Sequence, residues 1–316
     1  MTSRTAAATL VLVLALATAL PAAQVTRRLA ITIDDLPWVN RRAANWLPNA
    51  QAGTARLLDT LRGHGARAVV FVNEGQLAVV GERQARTALL ESWVAGGHTL
   101  ANHTYSHADA NRLSIGAFKD EISKGERVSQ VLMAGREPYQ RYFRHPMTHT
   151  GDSPEKKAAI DAFLAERGVK VAPHTIENAD WLFNGAYVRA VDTGDQAAQA
   201  RLRDAYLTYS LAVTEFAELA SVRVFGREIP QTLLIHSNAI TADRLDLLLT
   251  RLASRGYRFV TLDEAMTDAA YRTADAHVSR HGPTWLFRWS RSLGQDISFA
   301  GEPEPPDWVT EMANRP

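Results

Sequence analysis

Short apolar runs alternate along this chain with stretches in which apolar residues recur every three or four positions. The alternation starts at residues 28–35 (RLAITIDD), a β-rich run that stops abruptly at two carboxylates and reads as a buried strand. Residues 50–64 follow with helical spacing, placing Leu57, Leu58 and Leu61 on one face, and Gly65 leads into a second strand over 67–72. Residues 87–95 are again helical, end at Gly96-Gly97, and pass into a strand-like stretch over 98–101. The pattern predicts one amphipathic helix over 115–133 and a short strand over 140–146 that ends in a proline turn. A helix over 154–167 follows, with Ser153-Pro154 as cap and first turn and Gly168 closing it, then a strand over 169–173. A long helical stretch at 196–220 breaks the alternation and reads as an insertion at about 195–222. After it come a strand over 231–236, a helix over 242–255, a strand over 257–262 and a helix over 263–271.

Strand-then-helix repetition predicts an α/β fold: a parallel sheet with crossover helices, curled into a distorted (β/α) barrel of about seven strands. That domain is expected over 24–274. Residues 275–316 carry Trp285, Phe287, Trp289 and Trp308 without a clear period and are expected to form a strap over the barrel. The Trp285/Trp289 pair reads either as an apolar anchor for that strap or as a platform for sugar faces.

Composition narrows the class. The chain has 316 residues, 46% hydrophobic and 22% charged, enough for a sizeable core and unlike a disordered protein. Its 35 basic and 34 acidic residues leave a formal charge of +1, which argues against nucleic acid as a partner. Arg4 followed by the apolar run from Ala6 to Leu20 has the layout of an export signal ending near residue 23. That run is shorter than the ~20 residues a spanning helix needs, so no stable membrane span is expected. There is no cysteine, hence no disulfide, and any metal must be held by nitrogen and oxygen ligands.

Three expected strands end in ionisable groups: Asp34-Asp35, His103 with His107, and His236. In barrels of this kind the C-terminal strand ends converge on one face, so these groups can share a site. His103 and His107 are four apart, the spacing that on a helical turn puts two imidazoles on one face. Thr104 stands where a zinc protease would carry its glutamate base, so the base must come from elsewhere. His145/His149 and His277/His281 repeat the spacing, but Pro146 interrupts the first and no apolar strand leads into the second. One carboxylate and two imidazoles suit Zn²⁺ or a similar divalent ion. Adjacent residues of an extended chain point to opposite sides, so only one of Asp34 and Asp35 is expected to face the ion squarely.

At these positions the chain resembles the polysaccharide deacetylases of the NodB-homology type, carbohydrate esterase family four. Residues 32–35 (TIDD) are similar to the family's first motif, which implies Asp34 as catalytic base and Asp35 as metal ligand. Residues 102–107 (NHTYSH) are similar to the second and imply His103 and His107 as metal ligands. Residues 143–147 (FRHPM) resemble the third, implying that Arg144 holds the base and that Met147, where an aromatic is usual, lines the acetate pocket and offers its backbone N–H to the oxyanion. Asp180-Trp181 resembles the fourth motif and residues 234–236 (Leu234, Ile235, His236) the fifth, implying Asp180 as a partner that tunes the site, Trp181 and Leu234 as pocket residues and His236 as general acid. The insertion at 196–220 is expected to change one wall of the cleft. Alternatives remain at single positions: Arg144 as a surface ion-pair partner, Asp180 as a helix or turn cap, Trp181 as core.

The resemblance implies an exported, metal-dependent hydrolase that removes acetyl groups, N-acetyl foremost, from a glycan. Two other readings stand beside it: hydrolysis of a small-molecule amide on the same fold, and a catalytically silent carbohydrate-binding relative.

Overall fold

The computed structural model describes residues 27–39, 45–136 and 139–315; the expected export segment lies outside the described residues. In chain order the elements are β1 (Arg27–Leu36), α1 (Trp46–Gly63), β2 (Val69–Val72), α2 (Arg83–Ala95), β3 (Thr99–Asn102), α3 (Ile115–Lys124) and α4 (Arg127–Met133). They continue with β4 (Tyr142–Phe143), α5 (Pro154–Glu166), β5 (Lys170–Val171), β6 (Ile176–Glu177), α6 (Asp180–Asp192) and α7 (Gln196–Phe225). The last are β7 (Gln231–His236), α8 (Ala239–Ser254), β8 (Tyr257–Val260), α9 (Leu262–Met266), α10 (Trp285–Ser292) and α11 (Asp307–Ala313).

Every strand pair is parallel, in the order β5-β4-β3-β2-β1-β7-β6. β8 branches from the start of β1, where Leu29 and Ala30 pair with β7 on one edge and with β8 on the other. β5 and β6 do not pair among the described residues, so seven strands curl into a half-barrel with β8 beside them. β6 is two residues long, too short for a period to reveal it.

Alternation along the strands sorts the core into two layers. Leu29, Ile31 and Ile33 of β1, Val70 and Val72 of β2 and Leu100 of β3 face the outer helices and pack with Leu57 and Leu61 of α1 and Leu245, Leu248 and Leu249 of α8. Ala30, Val69, Phe71, Ala101 and Tyr142 face inward. Each such aliphatic side chain, once buried, contributes roughly 1.5–3 kcal/mol to stability. Inward parity also carries Thr32 and Asp34 toward the mouth of the barrel, which is how a hydrophobic strand delivers a carboxylate to the site.

Two expectations are corrected and one open choice is decided. The helix over 115–133 is two helices, broken at Gly125, because a Cβ there would sit 2.6 Å from the Thr104 carbonyl carbon and 2.7 Å from the Tyr105 nitrogen. The helix yields to the loop that carries the histidines. α7 runs on to Phe225, packs against α6, α8 and α10, and supplies no described residue to the cleft wall. The end of the chain contributes to that wall instead. Trp285 and Trp289 are buried, Trp289 edge-on to Phe225 and Tyr271, so they anchor the C-terminal segment and offer no sugar platform.

Candidate active site

A cleft of about 540 Å³ opens at the C-terminal ends of the strands, and Asp34, Asp35, His103, His107 and His236 all line it. The two aspartates face the same way, contrary to the rule for an extended chain. Pairing with β2 shifts register between Ile33 and Leu36, and Asp35 takes φ 64°, a left-handed conformation that re-aims its side chain. Ser237 N–H donates to the Asp34 carbonyl at 3.0 Å, tying the irregular end of β1 to β7.

His103 and His107 sit on an irregular loop rather than on a helical turn, with Thr104 at φ 63° and His107 at φ 61°. The loop is held by side chains. Asn102 Oδ1 accepts from Thr104 N–H at 2.8 Å, Thr104 Oγ1 accepts from Ala108 N–H at 2.9 Å, and Glu121 of α3 accepts from Ser106 N–H at 2.8 Å. His103 Nδ1 lies 2.8 Å from the Arg144 carbonyl, which can only accept, so the ring proton is on Nδ1 and the Nε2 lone pair faces the cluster. Burial lowers the His103 pKa to about 4, against the pull of Asp35, so the ring is neutral.

Asp35 Oδ1 is 3.7 Å from His103 Nε2 and 3.4 Å from His107 Nε2, and one ligand atom from each of the three residues lies within 4.8 Å of the others. A neutral imidazole with a fixed tautomer, a second imidazole and a carboxylate form a donor set that fits a divalent ion with an open position. Asp34 stands beside them, its Oδ2 3.8 Å from His103 Nε2, and its buried Oδ1 has no hydrogen-bond partner among the described residues.

Arg144 is fully buried, which rules out the surface ion-pair reading. Its Nη2 donates to Thr32 Oγ1 at 2.9 Å, its guanidinium lies 4.8 Å from the centre of the Phe71 ring, and Nη1 is 3.7 Å from Asp34 Oδ2. The Arg144 charge favours ionised Asp34, but burial outweighs it, and the Asp34 pKa is raised.

Asp180 is fully buried at the start of α6 and is not a cap for that helix. Its Oδ1 meets His236 Nδ1 at 2.7 Å; Oδ2 accepts from His236 N–H at 2.7 Å and from Asn238 Nδ2 and Thr241 Oγ1, each at 2.8 Å. Burial alone lowers the His236 pKa, but Asp180 beside it reverses this and raises it to about 10. The same contact holds Asp180 below its ordinary range despite burial. His236 is therefore an imidazolium at neutral pH with Nδ1 engaged.

Leu234 and Trp181 line the cleft. Trp181 is 58% exposed, not core, and its Nε1 donates to Glu177 Oε1 at 3.1 Å. Met147 is 45% exposed at φ 54°, and its N–H donates to no group among the described residues. Sequence reasoning passed over His174, Glu177, Thr148, Phe287 and Glu302, which also line the cleft. His174 follows β5 as His236 ends β7, a signal of the same kind; the C-terminal residues carry none. His145 and His149 are elsewhere engaged, the first stacked on Phe118 with Phe143 edge-on, the second 2.9 Å from Asp109.

A family model described as polysaccharide deacetylase matches residues 23–164. The peptidoglycan-N-acetylglucosamine deacetylase PgdA of Listeria monocytogenes is 22% identical over 244 residues, 77% of this chain and 40% of that protein. A peptidoglycan-N-acetylglucosamine deacetylase of Bacillus cereus is 22% identical over 216 residues, 66% of this chain and 62% of that protein. The chain thus spans less than two thirds of the length of these relatives. Two solved structures align at a TM-score of 0.49. One, a family 4 carbohydrate esterase from Streptomyces lividans in complex with acetate, is 19% identical and covers 76% of this chain and 95% of that one. The other, a CE4 family pseudoenzyme from Bacillus anthracis, is 16% identical and covers 76% of this chain and 66% of that one.

Proposed function

We propose, from the match of residues 23–164 to a polysaccharide deacetylase family model, that this protein is an exported, metal-dependent deacetylase that hydrolyses N-acetyl groups on a glycan. One observation carries the reading: the carboxylates of Asp34 and Asp35 and the imidazoles of His103, His107 and His236 line one cleft. The relatives that bear peptidoglycan-N-acetylglucosamine deacetylase names support N-acetylglucosamine units, in peptidoglycan or a chitin-like polymer, as the substrate. Export rests on the pattern of residues 1–23, and no helix among the described residues is long and apolar enough to cross a membrane.

Asp35, His103 and His107 would hold the ion, Zn²⁺ foremost given the nitrogen-rich set. When bound, such an ion acts as a Lewis acid and brings the pKa of water down toward ~7. Asp34 takes a proton from the attacking water; burial makes it a stronger base than an exposed aspartate, and Arg144 keeps it within the charged network. His236 delivers a proton from Nε2 to the departing amine, because Asp180 occupies Nδ1 and keeps the ring charged. Met147 N–H, free of an internal partner, holds the oxygen on which negative charge develops.

The test is acetate release from N-acetylglucosamine oligomers, with loss on chelation, recovery with Zn²⁺, and loss in Asp34→Asn while the metal stays bound. Protein that binds Zn²⁺ yet releases no acetate from any glycan contradicts the proposal. A second reading, hydrolysis of a small-molecule amide by the same groups, is favoured by Pro283, Phe287 and Glu302, which wall one side of the cleft. It predicts turnover of small acetamides in preference to oligomers.

A further inference from the structure

We propose that Arg288 is a positioning residue for the Met147–Thr148 turn, and that residues 275–292 complete the active site rather than only cover the barrel. The proposal rests on the reading above in one respect, the use of the Met147 N–H to hold the oxyanion.

The turn needs an external hold. Met147 and Thr148 take φ 54° and 53° in succession, a conformation that L-residues avoid and that is worst for a β-branched side chain. Within the turn two backbone bonds close it, Thr148 N–H to His145 O at 2.9 Å and His149 N–H to Pro146 O at 3.1 Å. The rest comes from the C-terminal segment. The Arg288 guanidinium is fully buried; Nη2 donates to Thr148 O at 2.6 Å and Nη1 to Thr150 Oγ1 at 3.0 Å. Its Nε donates to Pro283 O at 3.0 Å, and Asp275 Oδ2, 3.2 Å from Nη1, balances the charge and also meets Lys157 of α5 at 3.2 Å. One planar fork thus grips the turn on one side and its own segment on the other, which a lysine cannot reproduce.

Gly282 is the second contact. Thr148 Oγ1 donates to its carbonyl at 2.6 Å, and a Cβ at Gly282 would lie 1.9 Å from Thr148 Oγ1 and 2.2 Å from Met147 O. The segment therefore presses on the turn with no room for a side chain. It also braces the neighbouring wall, since Trp285 N–H donates to His174 O at 2.9 Å. None of these C-terminal residues falls within the matched stretch 23–164.

Arg288 touches no reacting atom, so its loss acts on the rate with the turn and not on substrate or metal affinity. The experiment compares the parent with Arg288→Met, Arg288→Lys and Gly282→Ala on N-acetylglucosamine oligomers and on 4-nitrophenyl acetate. Zn²⁺ calorimetry and amide hydrogen exchange over 145–150 accompany the kinetics. Arg288→Met is expected to lower kcat about 10–100-fold, the range for loss of an orienting partner, with KM within about twofold. Arg288→Lys should fall between it and the parent, Zn²⁺ affinity should hold, and exchange at 145–150 should rise. Gly282→Ala should show the same split while leaving the buried charges in place, and it decides the matter if Arg288→Met does not fold. An unchanged kcat, or a raised KM with parallel losses of Zn²⁺ affinity and melting temperature in Gly282→Ala, overturns the proposal. If the parent releases no acetate from either probe, the reaction proposed above fails, and unaltered exchange at 145–150 in the variants would separately show that Arg288 does not hold the turn.

Discussion

Replacing Asp180 by Asn keeps the shape of a fully buried side chain and deletes its charge. Four donors now meet the carboxylate: the ring and backbone N–H of His236, the amide of Asn238 and the hydroxyl of Thr241. Asn offers one oxygen and turns an NH₂ toward whichever donors the other oxygen served, so at least one is left unpaired. Burial is then opposed only by the charges of Asp35 and Asp34, and the His236 pKa should fall from about 10 toward its ordinary 6.5. At ~1.4 kcal/mol for each tenfold change that is on the order of 5 kcal/mol of lost imidazolium stabilisation, in line with the ~3–5 kcal/mol typical of breaking a buried pair. The sign with pH follows from both partners. Asp180 is lowered, so its contribution is present above its ordinary 3.8 and lost as pH falls through the folded value. His236 is raised, so its contribution is full below 6.5 and lost as pH rises through about 10. The stability gap between parent and Asp180→Asn should therefore be widest between pH 4 and 6.5 and narrow toward pH 10. Urea unfolding at pH 5.5 and 9.5, with an NMR titration of the His236 ring, measures it. In the same variant kcat should drop about 10²–10⁴-fold, since the tautomer and charge of the proton donor are no longer set. A gap that does not change with pH, or a His236 titration that does not move, would refute the reasoning.

His103→Ala removes a ligand whose tautomer the backbone fixes, and Zn²⁺ affinity by calorimetry should fall at least ~100-fold, while Asp34→Asn should leave it within about tenfold. Trp181→Ala removes an exposed ring on the cleft; KM for oligomers should rise several-fold and stability stay within ~0.5 kcal/mol of the parent, measured by urea melts. Trp289→Ala empties a site packed edge-on by Phe225 and Tyr271 and should cost ~3–5 kcal/mol in the same melts.

Strand ends made much of the site legible in one dimension. Asp34, His103 and His236 each close or follow an apolar run, and parallel strands bring such ends to one face whatever their separation along the chain. Ser153-Pro154 announced α5, and Ser153 Oγ does accept from Lys156 N–H at 3.2 Å. Periodicity failed where a backbone conformation or a neighbour decided the outcome. Nothing in the amphipathic pattern of 115–133 shows that Gly125 must fit against the Thr104–Tyr105 backbone. Nothing in the spacing of His103 and His107 separates a helical turn from a loop that reaches the same cluster through two left-handed residues.

Apolar periodicity and the chemical identity of a few strand-end residues determined, by themselves, a parallel α/β sheet and a short roster of acids and imidazoles, because those depend on local spacing and on side-chain chemistry. The direction of Asp35, the burial of Arg144, the protonation of His236 and the grip of residues 275–292 on Thr148 were decided by the tertiary structure. Each of these depends on which groups from distant parts of the chain exclude water from one another, and no window along the sequence contains both partners.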